Sequence, residues 1–267
     1  MFRNKNVYIF LPHQDDEFAI WPIWQKILYA KNIYIFYVTN GEQKIQVSDS
    51  KREIRNLEAI KNLTANGINK RNIFFLSNEM PPNDQLLHNF LGKVIKNLGV
   101  VVDKLKAPDL VIFPACEGGH PDHDVTNLLV RLFCKTLSNC PIGYEYFSYS
   151  LSNRLFHFNF ARPEVIEPGI LKICFSRFKL TSVIRVILNY RSQRKTFIIL
   201  GPGLICSWLL RPRIYFRVAN MENTRFERPL NSKILYEKRR WITFKQIKNT
   251  LERNGFISRY WFFSSIT

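Results

Sequence analysis

The stretch Asn6–Glu17, NVYIFLPHQDDE, runs a short apolar and aromatic segment straight into a cluster of ionisable residues. Asn6–Pro12 has the length and composition of a buried strand. A second copy of the pattern occurs at Asp109–Asp124, DLVIFPACEGGHPDHD, where the strand-like Asp109–Ala115 leads into a loop holding two histidines and three carboxylates. Between and around these lie Asn32–Thr39 and Asn72–Ser77, also strand-like, and Ile142–Tyr149 beyond them. Helical spacing covers Glu17–Lys31 (interrupted near its start by Pro22), Ser48–Asn66, Asp84–Lys106 and Asp122–Ser138. Ser48, Asp49 or Ser50 can cap the second of these, and Gly67 ends it. Strands separated by helices imply βαβ units. The expected fold class is therefore α/β, a mainly parallel sheet with helices on both faces.

In such sheets, sites form beyond the carboxyl ends of the strands. Both ionisable clusters follow a strand directly. Burying so many charges beside an apolar strand is costly unless something binds them, and a divalent metal is the simplest compensation. His13 and Asp16 are three residues apart and can face one point on a tight turn. His123 can complete a two-histidine, one-carboxylate set, which leaves an open position of the catalytic type. A metal held in this way lowers the pKa of water toward ~7. Asp15 can then serve as general base. His120 can donate to a developing oxyanion or to the leaving group, with Asp122 orienting it. Gly118-Gly119 lets the backbone come close to a ligand. A mononuclear iron oxygenase also uses two histidines and one carboxylate. Such sites take His-x-Asp from a β-barrel, whereas this chain has His-x-x-Asp on a βαβ pattern.

At PHQDDE and GGHPDHD the sequence resembles the PIG-L / LmbE-like zinc de-N-acetylases, over roughly residues 6–195. The resemblance implies a Rossmann-like fold and removal of the acetyl group from an N-acetylhexosamine of GlcNAc type. It implies Zn(2+) held by His13, Asp16 and His123, with Asp15 as base, His120 stabilising the tetrahedral intermediate, and Asp122 behind it. Arg55-Asn56-Leu57-Glu58-Ala59 is similar to the family's R-x-x-E-A helix, whose arginine can reach substrate, so Arg55 is the expected substrate-binding residue. Tyr190-Arg191-Ser192-Gln193 is similar to its late Y-x-S-Q element. Gln14 stands where the family often has proline. Gly118 stands where some members carry an oxyanion-binding tyrosine, so either such a tyrosine comes from elsewhere in the chain or His120 and the metal suffice. Deacetylation of a small secondary metabolite or thiol-sugar conjugate, and non-catalytic binding of glycan or lipid, are the alternative readings. The intact acidic and histidine set argues against the last.

Charge divides the 267 residues unevenly. Residues 1–150 hold 17 basic and 15 acidic side chains, whereas residues 151–267 hold 22 and 6, so nearly all of the +18 lies in the second part. The expected organisation is a Rossmann-like catalytic core over 1–150 and a basic part over 151–267 that completes the fold and the substrate cleft. That field favours a phosphate-bearing or lipid-linked amino sugar and peripheral contact with an anionic membrane. Nucleic acid is the weaker partner, because the aromatic and basic tail, including Arg259-Tyr260-Trp261, comes with no recognisable module. Residues 170–188 read as a core helix with a solvated edge or as a basic amphipathic helix. Residues 196–210 carry no charge but contain Gly201-Pro202-Gly203, and are expected to form a buried strand–turn–strand, or else a hairpin dipping into a membrane. Five cysteines without C-x-x-C spacing exclude a disulfide scaffold. No signal peptide or spanning segment is read, so a cytoplasmic location is expected, extending to the inner membrane face.

Overall fold

From Val7 to Leu11 every side chain is buried, and successive residues serve opposite faces of one sheet. Val7, Ile9 and Leu11 join one core, while Tyr8 and Phe10 join another. This two-sided burial is why the strand reads as continuously apolar and not as an alternation. The computed structural model describes residues 1–42, 49–77, 82–152, 155–158, 169–229 and 234–257. Ser48 and the Arg259–Trp261 tail fall outside the described residues.

In chain order, β1 (Asn6–Leu11) leads through two short 3-10 turns and α1 (Trp24–Ile27) to β2 (Asn32–Tyr37). Helix α2 (Asp49–Ala65) precedes β3 (Ile73–Phe75), α3 (Leu87–Val102) precedes β4 (Leu110–Pro114), and α4 (Pro121–Lys135) precedes β5 (Ile142–Tyr146). A small hairpin of β6 (Tyr149–Ser152) and β7 (Leu155–Phe158) follows, then β8 (Ile170–Cys174). After it come α5 (Leu180–Asn189), α6 (Arg194–Leu210), β9 (Arg213–Val218), α7 (Leu235–Lys238) and α8 (Phe244–Arg253). The main sheet has the order β3-β2-β1-β4-β5-β9-β8. Its first five strands are parallel, and β9 and β8 add antiparallel. Residues beyond 150 therefore extend the same sheet as the first half.

One face is covered by α1, α2, α5 and α6, and the other by α3, α4 and α8. The chain winds outward from β1 toward β3, then returns to place β4 on the other side of β1. The reversal of strand order lies between β1 and β4, and at that crevice two connections leave in opposite directions and make room for a ligand.

Several elements differ from their sequence expectation. The helix expected over Glu17–Lys31 is reduced to 3-10 turns at Asp16–Ala19 and Trp21–Ile23 and the single turn of α1. Pro22 lacks the N–H that a continuous helix would need there. The strand expected over Ile142–Tyr149 breaks into β5 and β6. Within residues 170–188, the first part is the edge strand β8 and only the second is helical. Residues 196–210 form neither strands nor a hairpin but most of α6, which runs through Pro202. The donor that Pro202 lacks would have met the Ile198 carbonyl, and both residues lie on the exposed side, where water can take the bond. Phe197, Gly201, Leu204 and Trp208 make the buried stripe at helical spacing. No helix among the described residues is long and apolar enough to cross a membrane.

A buried ion network braces β5 against its neighbours. Glu145 accepts from Arg131 Nη2 and from Arg217 Nε, each at 2.5 Å, and from Asn127 Nδ2 at 2.6 Å. Burial raises the Glu145 carboxyl, but the guanidinium groups of Arg217 and Arg131 outweigh it and hold the carboxyl below its ordinary range.

Two outcomes follow for denaturant unfolding. Trp208→Ala should lose ~3–5 kcal/mol while Ile199→Ala loses less than ~0.5 kcal/mol, since only the first side chain packs against the sheet. Equal losses would contradict a helical α6. Glu145→Gln should cost roughly 3–5 kcal/mol at neutral pH by leaving two arginines without their anion. Because the folded pKa is depressed, that stability is fully present above the ordinary glutamate value of ~4.3. It is lost as pH falls through the lower folded value, so the gap between wild type and variant should close in acid.

Candidate metal centre

The carboxyl ends of β1 and β4 carry the two histidine loops to the crevice. After β1 the backbone turns sharply, with the N–H groups of Asp15 and Asp16 both donating to the His13 carbonyl, at 3.0 and 3.3 Å. The turn brings Asp16 back over His13, whose own N–H donates to Asp16 Oδ2 at 2.8 Å. The same oxygen lies 3.1 Å from His13 Nδ1 and 3.3 Å from His123 Nε2. After β4, the chain enters α4 with His120 as its N-cap, Pro121 in the first turn, and His123 one turn along. The ring nitrogens of His13, His120 and His123 lie within 4.8 Å of one another. The structure thus brings the three imidazoles together, with Asp16 bridging His13 and His123.

Asp84 joins them, although nothing in the sequence singles it out. It sits in the loop before α3, where Gln85 takes a positive φ of 70° and the Asp84 N–H donates to the Glu42 carbonyl at 2.8 Å. Its Oδ1 lies 3.0 Å from His120 Nε2 and 3.3 Å from His13 Nε2. In the sequence Asp84 looks like an ordinary helix-start residue, and only the tertiary path of the loop separates it from other capping acids.

Asp122 has partners other than the one its spacing suggests. Its carboxylate accepts from the backbone N–H of Gln85 at 2.6 Å and of Leu87 at 3.1 Å, and lies 3.2 Å from His13 Nε2. What reaches His120 is the Asp122 backbone N–H, which donates to Nδ1 at 3.2 Å. That bond makes Nδ1 an acceptor, so the ring proton of neutral His120 resides on Nε2, facing the centre. The carboxylate pointing at Nε2 is Asp84.

Asp15 points away from this point. It forms an ion pair with Arg55 at 3.2 Å. Arg55 Nη1 also donates to the Gly41 carbonyl. With its amide oxygen turned toward Arg55, Gln193 accepts from Nε at 3.3 Å and from Nη1 at 2.8 Å. Gly41 has a positive φ of 68°, and a Cβ there would lie 2.6 Å from the Arg55 guanidinium carbon. Arg55 therefore reaches Asp15 across a position that only glycine leaves open.

Further groups surround the centre. Glu17 accepts from Tyr37 at 3.2 Å and from Tyr190. Asp124 accepts from the N–H groups of Glu117 at 2.9 Å and Gly118 at 3.1 Å and from Tyr236 at 3.2 Å, which fixes the loop that presents His120. The ring of Trp241 meets His120 edge-on, 5.4 Å between centroids. Tyr149 lies 5.8 Å from His123, and so brings a tyrosine to the centre from β6 and not from position 118.

Electrostatics separates the two adjacent acids. Burial raises the Asp16 carboxyl, yet the imidazoles of His123 and His13 outweigh burial and hold it well below the usual carboxylate range. Asp15 moves the other way, because burial exceeds the lowering effect of Arg55. One acid is suited to remain an anion and its neighbour to take up a proton. Glu17 is pushed up to about 8 by burial, against the hydrogen bonds of Tyr190 and Tyr37.

The donor set fits a cation. Imidazole nitrogens and carboxylate oxygens suit zinc and its neighbours in the first transition row. The buried His123 Nε2 and Asp84 Oδ1 have no partner at hydrogen-bond geometry among the described residues. Each lies at ion-pair distance from charged neighbours without an aligned hydrogen bond, and so keeps coordinating capacity that a cation could use.

The family profile PIG-L, described as GlcNAc-PI de-N-acetylase, matches residues 8–134. No curated protein matches the chain. Among solved structures, the fold is similar to an N,N'-diacetylchitobiose deacetylase from Pyrococcus horikoshii, at 18% identity and a TM-score of 0.57, over 81% of this chain and 84% of that one. It is similar to a deacetylase from the teicoplanin biosynthesis pathway, at 12% identity and a TM-score of 0.55, over 81% and 99% of the two chains. It is also similar to a conserved protein of Thermus thermophilus, at 16% identity and a TM-score of 0.54, over 86% and 100%. At these identities the structural likeness speaks to the fold alone. The profile match opens in β1 and closes in α4, so it contains both histidine loops. Residues 8–134, just under half of the chain, are thus similar to the PIG-L family.

Proposed function

We propose that the protein is a zinc-dependent amide hydrolase that removes the N-acetyl group from a GlcNAc-type N-acetylhexosamine on a phosphate-bearing or lipid-linked carrier. The observation that carries this reading is the convergence of three imidazoles and Asp16 at the sheet's reversal point, with Asp15 beside them as a separately held base. His13, Asp16 and His123 would hold the metal. When bound, such a cation polarises the acetamide carbonyl and acidifies water.

The remaining chemistry falls to the chain's own groups. Asp15 accepts the proton of the attacking water, and its raised pKa strengthens it for that task compared with an exposed carboxylate. Arg55 acts as a positioning residue, because it meets Asp15 directly and is held in turn by Gly41 and Gln193. His120 donates from Nε2 toward the oxyanion, its Nδ1 being tied to the α4 backbone. Asp15 then returns its proton to the departing nitrogen, and acetate and the free amine are released. Residues after 150 complete the cleft in this reading. Trp241 backs His120, and Tyr190 anchors Glu17 beside the ligand turn. The excess positive charge of that part favours an anionic carrier.

Zinc-loaded Asp15→Asn should retain metal and lose about 10²–10⁴-fold in acetate release from N-acetylglucosamine donors, the usual worth of a general base. His13→Ala should lose metal and turnover together. Full turnover in Asp15→Asn, or in metal-free wild type, overturns the reading. Gly41→Ala should displace the Arg55 guanidinium and lower kcat by about tenfold with metal content unchanged. An unaltered kcat would remove Arg55 from its positioning role.

A further inference from the structure

Helices α5 and α6 form a hairpin whose inner sides share one core. Leu180, Val183 and Val186 of α5 and Phe197, Leu204 and Trp208 of α6 are all buried in the same cluster beneath the sheet. The hairpin runs antiparallel, because Arg177, just before α5, donates through Nε to the Leu209 carbonyl near the end of α6 at 3.0 Å. With both inner faces directed at one core, the outer faces look the same way. That outer side is unusually apolar. Phe178 is 87% exposed, Leu210 79%, Ile199 76%, Ile198 73% and Leu188 69%, with Leu209 at 47%. Scattered exposed leucines need no explanation, but six large apolar side chains on one hairpin mark an interaction surface.

The charge around them selects the partner. Lys179, Arg185, Arg191, Arg194, Lys195 and Arg211 are exposed on the same two helices and their ends. Residues 168–221 contain ten Lys and Arg and no Asp or Glu. A second copy of this chain placed against the face would bring like charges together. A surface that is apolar in its middle and whose own charged side chains are all cations is complementary to a sheet of anionic headgroups above hydrocarbon. Beside Phe178, a cavity of ≈ 280 Å³ lies between Pro22, Ile23, Phe175 and Lys179. Its charged lining residues, Lys26 and Lys179, are both cations.

We propose that the outer side of the α5–α6 hairpin docks on an anionic phospholipid bilayer, with Phe178 and the Ile198-Ile199 and Leu209-Leu210 pairs entering the interface and the flanking arginines and lysines meeting lipid phosphates. Docking of this kind is peripheral and independent of which acetylated substrate the centre takes.

Cosedimentation of the full chain tests it, using vesicles of phosphatidylcholine alone and vesicles with one phosphatidylglycerol for every two phosphatidylcholines. The chain should pellet with the anionic vesicles only, and added salt should weaken the binding. The double variants Ile198→Ser/Ile199→Ser and Arg194→Gln/Lys195→Gln should each weaken it by roughly tenfold or more. Their thermal unfolding should match wild type, since all four side chains are exposed. Equal recovery in the supernatant with both vesicle types at low salt overturns the proposal. So does wild-type binding by both double variants, and so does a solution dimer that Ile198→Ser/Ile199→Ser converts to monomer.

Discussion

One carboxylate oxygen, Oδ2 of Asp16, sits between the imidazoles of His13 and His123 and joins the loop after β1 to the loop after β4. Neither loop could keep its polar groups out of water without the other. Asp16 is buried, and the free energy of withdrawing its charge is offset by two imidazoles that belong to elements a hundred residues apart. The same oxygen accepts the His13 backbone N–H, so the tight turn, the anion and the histidine orientation are one arrangement. The sheet's order serves this contact: with β1 and β4 adjacent and their helices departing in opposite directions, the two loops face each other across an open crevice.

The parallel sheet is legible in the sequence because β1, β2 and β4 are buried on both faces, and such strands read as apolar runs whatever lies around them. The two histidine loops are legible because ionisable residues directly after a buried strand have few structural uses. Asp84 is not, since its importance comes from where the loop before α3 passes in space, and nothing in PPNDQ records that path. Asp122 shows a different limit. Its nearness to His120 is plain from the spacing, but in the first turn of a helix it is the backbone N–H that meets the N-cap side chain, and the carboxylate is turned elsewhere. Helix α6 departs from expectation because the local preference of a glycine–proline–glycine run yields to the buried stripe through Phe197, Leu204 and Trp208.

Two short resemblances that carry little specificity alone are halves of one contact. Arg55 and Glu58 lie three apart on α2, and Ser192 and Gln193 are neighbours in the turn between α5 and α6. Gln193 faces Arg55, while Ser192 donates to Glu58 through Oγ at 2.5 Å and through its backbone N–H at 3.1 Å. Tyr190, three residues before Gln193, reaches Glu17 beside the His13–Asp16 turn. The late segment thus buttresses the Arg55–Asp15 pair from behind, and the spacing in each half follows from the need to meet the other.

Gly119 lies against the backbone of Tyr149, where a Cβ would fall 2.0 Å from the carbonyl oxygen. No flexible side chain is available to yield, so the loop bearing His120 and the start of β6 are shaped to each other at the level of the main chain. The consequence concerns modularity. Residues 117–124 cannot be exchanged as a cassette for a loop with any side chain at position 119, and a graft of this centre onto another parallel sheet would have to carry the β6 segment along with it.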